Sequence, residues 1–236
     1  MTKFSFEVPI KHLSAFDDLQ DFTFVLSYLC ENPVYERYLR EKANEGLSSI
    51  WIDNSFNELE TSEPLDFLLY QRTLLNASRI IAPDHPKWGT DEILNSYRHT
   101  KAHISSDYII VVVSSMEMYK QARAEGARNF AVSYWTREGF TFEELKSIPQ
   151  VHFLGLLNIP ELQEVRPISC DTSMPVKLAM KGMSLTDWAK EAYPHIHTKD
   201  LGKHGMDFFN AELTLDEIKL ARRNTWELKE TVNTKA

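Results

Sequence analysis

Seven short apolar runs recur along the chain, separated by segments whose apolar residues return every three or four positions. The runs are residues 22–28 (FTFVLSY), 49–53 (SIWID), 79–83 (RIIAP), 108–114 (YIIVVVS), 129–134 (NFAVSY), 151–156 (VHFLGL) and 167–171 (PISCD). Residues 4–8 (FSFEV) are a candidate eighth. Several lack the alternation of a half-wet strand. Residues 108–113 are apolar throughout, as expected of a strand covered on both faces. Between the runs lie predicted helices. Residues 34–45 end at Gly46, a good C-terminal stop, and 64–76 carry Leu65, Leu68, Leu69 and Leu75 on roughly one face. Residues 116–125 end at Gly126, and 141–147 follow a Gly-Phe turn. After the last run come helices predicted over 175–180, 185–193 and 215–232. Strand alternating with helix this often predicts a parallel sheet with right-handed crossovers. The fold class is α/β, a minimal (β/α)8 TIM-like barrel with a C-terminal helical extension. No repeat, low-complexity tract or linker divides the chain, so a single domain over 1–236 is expected.

Composition narrows the function classes. The 236 residues are 43% hydrophobic, 25% charged and 11% aromatic, ample for one core. A net charge of -8 excludes a generic polyanion binder, so any nucleic acid needs a local basic face or a partner protein that delivers it. Two cysteines, Cys30 and Cys170, supply neither a Cys-rich zinc site nor a disulfide framework. No stretch approaches the ~18 apolar residues of a membrane span, and the N-terminus lacks the apolar core of a signal peptide. The expectation is a soluble, cytoplasmic protein with no membrane contact. Oligomeric state is left open.

In such a barrel the functional face is made by the loops after the strands. The second run places Asp53 and Asn54 at a strand exit, the third Asp84 and His85, and the seventh Asp171. Each Asp taken alone reads well as a helix N-cap. Three on one rim repel and raise each other's pKa unless a ligand or donor sits among them. Carboxylates around a glycosidic bond have a definite use: one attacks the anomeric carbon while others move protons or bind the base. A purine edge also presents N–H donors that a buried Asp can accept.

These segments resemble the tRNA-guanine transglycosylase superfamily, and more closely its small DNA-directed branch, which inserts 7-deazaguanine bases into DNA. The likeness runs from about residue 49 to 181. IWIDNSFNE resembles the family's strand ending in Asp-Ser/Asn-Gly-Gly-Phe, and IIAPDHP its Asp-Glu-Cys-Pro segment. NFAVSY sits where the family has its Gly-Gly-Leu base-binding strand. ISCDTSMP resembles Phe-Asp-Cys-Val-Leu-Pro, with the same Asp-x-x-x-Pro spacing. The resemblance implies Asp171 as the nucleophile at C1′ and Asp53 as general acid/base. It implies Asp84 as acceptor for the base edge, with Asn54, Ser114, Val132, Ser133 and Tyr134 lining the pocket. Tyr134 or Trp135 would stack on a base. The chain departs from the pattern at Ser55, which replaces a Gly, at His85, which replaces Glu, and at Ser114, which replaces a Gln. The family's structural zinc site, three Cys and a His, is absent, and no cofactor or metal is expected.

Other residues carry two readings each. His195, His197 and His204 could bind zinc, or stand in a loop that holds phosphates together with Lys199 and Lys203. Arg222 and Arg223 could contact a nucleic-acid backbone, or form a solvated face paired with Glu217 and Glu227. Gly155 suits a close backbone approach to a ligand, or relieves a crowded barrel corner. Asn158 lies near the same rim. Cys170 reads as a small packed residue and His152 as a core histidine. The leading expectation is base exchange, with DNA favoured over tRNA and a 7-deazapurine as the incoming base. The alternatives are an N-glycosidase using water on the same pocket, a catalytically silent nucleotide- or protein-binding barrel, and a metal-dependent hydrolase using Asp53, Asp84 and the histidines.

Overall fold

β-Branched and aromatic residues crowd each of the eight runs, and each run contributes a strand. The computed structural model describes residues 1–46, 49–156, 158–191 and 205–234. The strands are β1 (Lys3–Phe6), β2 (Thr23–Leu26), β3 (Ile50–Asp53), β4 (Arg79–Ile81), β5 (Ile109–Val112), β6 (Asn129–Ser133), β7 (Val151–Leu154) and β8 (Ser169–Thr172). They form one sheet in the order β1-β8-β7-β6-β5-β4-β3-β2, with parallel register, for example Ser5 opposite Asp171 and Leu26 opposite Asp53. The fold is a (β/α)8 barrel, and the candidate eighth run is its first strand.

Helices occupy the segments between. They are α1 (Pro33–Glu45), α2 (Phe56–Leu59), α3 (Leu65–Leu74), α4 (Thr90–Lys101), α5 (Met116–Ala124), α6 (Phe142–Ser147), α7 (Ile159–Val165), α8 (Met174–Met180), α9 (Leu185–Glu191), α10 (Gly205–Phe209) and α11 (Leu215–Asn233). α1 starts where the Asn32 side chain accepts the Val34 and Tyr35 N–H groups, and stops at Gly46 with φ 64°. α6 and α11 open with capping boxes, Thr141 with Glu144 and Thr214 with Glu217. α2, α4, α7 and α10 were not expected, nor was the 3-10 segment Ile10–Leu19. Among the described residues, no helix is long and apolar enough to cross a membrane.

The chain divides into two compact units, Phe22–Phe153 and Met1–Asp21 with Leu154–Ala236. In the first, alternation along the strands sends Phe24, Trp51 and His152 to one face. The His152 ring lies 5.4 Å from Phe24, 5.4 Å from Trp51 and 6.0 Å from Phe22. Such ring pairs contribute about 1 kcal/mol each beyond the apolar area they bury. His152 is thus the core histidine its surroundings suggested. Two residues beyond Trp51 on the same face comes Asp53, which the period of a strand lifts from this aromatic layer to the carboxyl end.

In the second unit α11 is fastened at several points. Buried Asn224 donates to the carbonyls of Pro175 (3.2 Å) and Met183 (3.1 Å) and accepts the Leu185 N–H (2.8 Å). At its far end Asn233 exchanges two hydrogen bonds with the backbone of Thr2. Among the described residues β1 pairs with β8 alone, and its other backbone groups are met by side chains and a turn. The Phe4 N–H donates to Asp21 Oδ2 (2.9 Å) and the Phe6 N–H to Gln20 Oε1 (2.6 Å). Gln20 Nε2 donates to the Phe6 carbonyl (2.9 Å), and the Asp21 N–H to the Phe4 carbonyl (2.9 Å).

Candidate functional site

The exits of β3 and β4 are tied together by one amide. Asn54 Nδ2 donates to Asp84 Oδ1 (2.5 Å) and to the Ala82 carbonyl (2.9 Å), while its Oδ1 accepts the Phe56 N–H (3.1 Å). Ser62 braces the same loop, accepting the Asp84 N–H (2.9 Å) and donating to the Asp84 carbonyl. Asp53 and Asn54 are both buried. One Asp53 oxygen accepts the Ser55 N–H at 2.9 Å, a local turn rather than the cap of a long helix.

Ser55 sits in the left-handed region with φ 56°, where glycine is at home. Its hydroxyl lies 2.8 Å from Ser27 Oγ and accepts the Tyr28 N–H at 3.2 Å. A side chain is thus held by hydrogen bonds in a backbone bend that glycine adopts without strain.

Asp84 keeps some solvent contact as a residue, but its carboxyl is enclosed. Burial pushes its pKa up to about 6, against the opposing pull of the Asn54 hydrogen bond. A carboxyl poised there switches from donor-and-acceptor to pure acceptor near neutral pH. His85 follows, its ring edge-on to Phe56 at 4.8 Å and stacked on Trp88 at 6.2 Å. Phe56 and Trp88 were not singled out in the sequence; the turn motif HPKW was the available signal.

β5 and β6 deliver the other expected lining residues of this unit. Ser114 follows β5, its hydroxyl 3.9 Å from Met118 Sδ. Ser133 ends β6, its carbonyl accepting the Thr136 N–H (3.0 Å), and the Tyr134 and Trp135 rings lie 4.6 Å apart with Trp135 exposed. Arg137 is fully buried just beyond, donating to the Val132 carbonyl (3.0 Å) with its guanidinium 4.3 Å from the Phe153 ring centroid. Nothing in the local sequence TREGF separates it from a surface arginine.

In the other unit Asp171 is buried near the end of β8. The Gly155 N–H stands 3.3 Å from both of its carboxylate oxygens. Gly155 has φ 71°, a left-handed conformation that lets its N–H face the carboxylate. The N-cap position of α8 falls instead to Ser173, and Thr172 makes a local turn before it, its Oγ1 accepting the Met174 N–H at 3.1 Å. The cap reading of Asp171 therefore fails. Asn158 is itself a cap, its Oδ1 accepting the Glu161 N–H (2.8 Å) at the start of α7. Cys170 is fully buried and, like Cys30, a free thiol. Lys177, also buried, sits over the Phe208 ring at 5.3 Å, another charged residue the sequence did not distinguish.

Arg222 grips Asp18 with both terminal nitrogens, 2.8 and 2.7 Å, and also donates to the Ala15 carbonyl. The expected partner Glu217 is engaged in its own capping box. Arg223 pairs with Glu227 at 2.7 Å, one helical turn on, as the solvated-face reading had it. Lys199, Lys203, His195, His197 and His204 lie outside the described residues. Among the described residues, no three His, Cys, Asp or Glu are grouped to hold a metal ion.

No protein-family model matches the chain, and no curated protein sequence matches it. Solved structures do. CdNal from Clostridium difficile, in complex with mannosamine, superposes with a TM-score of 0.51 at 12% identity, over 93% of this chain and 90% of that one. Monomers of the dimeric phosphoribosylanthranilate isomerase of Thermotoga maritima give 0.47 at 13% identity, over 94% and 99%. At such identities the former likeness is one of barrel fold.

Proposed function

We propose that the chain is a base-exchange enzyme, a transglycosylase that replaces guanine in DNA with a 7-deazaguanine such as 7-cyano-7-deazaguanine. An Asp171 oxygen attacks C1′ of the target nucleotide. The bond from C1′ to guanine N9 breaks, and the leaving base takes a proton from Asp53. The sugar is then held as an ester of Asp171. The incoming base gives its N9 proton to the Asp53 carboxylate and attacks C1′ from the vacated side, releasing Asp171. Asp84 accepts N–H groups of the base edge when ionised. In duplex DNA the target leaves the stack first, at a cost of a few kcal/mol.

The observation that carries this reading is the state of Asp171. It is a buried carboxylate at the carboxyl end of a barrel strand, oriented by the Gly155 amide, while the N-cap position of the following helix belongs to Ser173. A buried carboxylate that faces a backbone amide at the carboxyl end of a barrel strand is suited to attack. The test is incorporation of labelled guanine or 7-cyano-7-deazaguanine into an oligonucleotide, with and without EDTA. Incorporation resistant to EDTA and abolished by Asp171→Ala is expected, with a trapped adduct mapping to Asp171. Full activity in Asp171→Asn, or an adduct on another residue, ends the proposal. Release of guanine with no incorporation would identify an N-glycosidase instead.

A further inference from the structure

The turn after Asp84 carries side chains that the exchange chemistry leaves unused. The Trp88 N–H donates to the His85 carbonyl at 2.9 Å, closing a four-residue turn with Pro86 and Lys87 at its corners. Proline's fixed φ suits the first corner. Such a turn sets its first and last residues side by side, and the His85 and Trp88 rings stack with planes 30° apart. The Lys87 N–H donates to His85 Nδ1 at 3.0 Å, so the neutral ring carries its proton on Nε2. Phe56 reaches this pair from a different loop because the Asn54 amide clamps the two loops together. The three rings are half-buried at a strand exit, where core aromatics would be covered. Lys87 is exposed at the apex, and none of the described residues pairs with its ammonium.

We propose that Phe56, His85 and Trp88 form a stacking shelf for an unpaired nucleobase beside the exchanged nucleotide, with Lys87 taking a phosphate of the same strand. This rests on the nucleic-acid substrate proposed above. Aromatic faces accept any base, and a neighbouring cation tracks the backbone; together they are the recipe for single-strand binding. The shelf begins one residue after Asp84, so a strand whose base is read there passes over it. With a net charge of -8 the chain needs such local contacts in place of a general positive field.

The experiment measures binding of a short labelled single strand by anisotropy across a salt series, for the parent chain, Trp88→Ala, Trp88→Phe, His85→Ala and Lys87→Gln. Base exchange by the parent is assayed separately. Trp88→Ala is expected to weaken binding about 10-fold, with Trp88→Phe retaining most of the affinity. Lys87→Gln is expected to lower the slope of log affinity against log salt by about 0.7. Unchanged affinity in Trp88→Ala with an unchanged slope in Lys87→Gln overturns the shelf. So does a parent that binds no strand, whether or not it exchanges free bases. Binding that follows these substitutions in a chain that exchanges nothing supports the shelf and sinks the exchange chemistry alone. Should Trp88→Ala fail to fold, the Lys87→Gln slope and the His85→Ala affinity decide.

Discussion

Asn54 holds Asp84 at 2.5 Å while the same amide nitrogen anchors the Ala82 carbonyl. One side chain at the end of β3 therefore sets the position of a carboxylate thirty residues later. It is also the reason that carboxylate does not rise further in pKa, since its hydrogen bond opposes the effect of burial. Asn54→Ala is expected to weaken base binding at Asp84 and to raise the pH at which that binding appears. Titration of the carboxyl by NMR, in parent and variant, measures both.

Asp84 also makes stability depend on pH. Its folded pKa, about 6, lies above the ordinary value of 3.8, so its favourable contribution is full below that ordinary value and is lost as pH rises to about 6. Ionising it costs the fold at most about 3 kcal/mol, reduced by whatever solvent contact the residue keeps. Asp84→Asn should remove this slope, narrowing the stability difference between pH 4 and pH 7 in urea unfolding. Base binding should run the opposite way in the parent, strengthening through about pH 6 as the carboxyl becomes a pure acceptor.

Gly155 joins conformation to chemistry. Any other residue must adopt φ 71° there or surrender the amide that faces Asp171. Gly155→Ala is expected to cost about 1–2 kcal/mol of stability and to slow formation of the Asp171 adduct by a larger factor than it slows base binding. Single-turnover trapping separates the two effects.

Ser55 sets two small energies against each other. Its left-handed backbone costs about 1 kcal/mol, offset by contacts of its buried hydroxyl with Ser27 and Tyr28. Ser55→Ala keeps the strain and loses the contacts, whereas Ser55→Gly loses both. The alanine variant is therefore expected to be less stable than the glycine variant by about 1 kcal/mol in chemical denaturation.

The Arg222–Asp18 pair is bidentate but more than a third exposed. A double-mutant cycle should give a coupling of no more than about 1 kcal/mol that fades with salt. A large loss in the Arg222 single variant with a small coupling would mean that the Ala15 carbonyl contact is the true anchor of this arginine.

Seven strands were legible because short apolar stretches are hard to hide, while β1, with Ser5 and Glu7 breaking its run, stood only as a candidate. Their ends were less so: the run 22–28 yields a strand only to Leu26, after which Ser27–Glu31 coils into a 3-10 turn. α4 escaped because TDEILNSYRHTK offers only Ile93, Leu94 and Tyr97 as an apolar face. α7 was too short and too close to Pro160 to signal itself. The exits bearing Asp53, Asp84 and Asp171 followed from where the runs stop. The choice between cap and candidate nucleophile did not, because it depends on the helix starting only after Ser173 and on the Gly155 amide facing the carboxylate. Phe56 and His85 meet only through the Asn54 bridge, a relation no local window contains.

The side chains of Gln20 and Asp21, laid along β1, have a consequence for the life of the protein in a crowded solution. An open strand invites a stranger's backbone to lie beside it and start a growing ribbon. Here the peptide groups of Phe4 and Phe6 that would make that invitation are already answered from within the chain. Two polar side chains therefore guard against clumping as well as fastening an end, and replacing both with alanine should show first as loss of solubility.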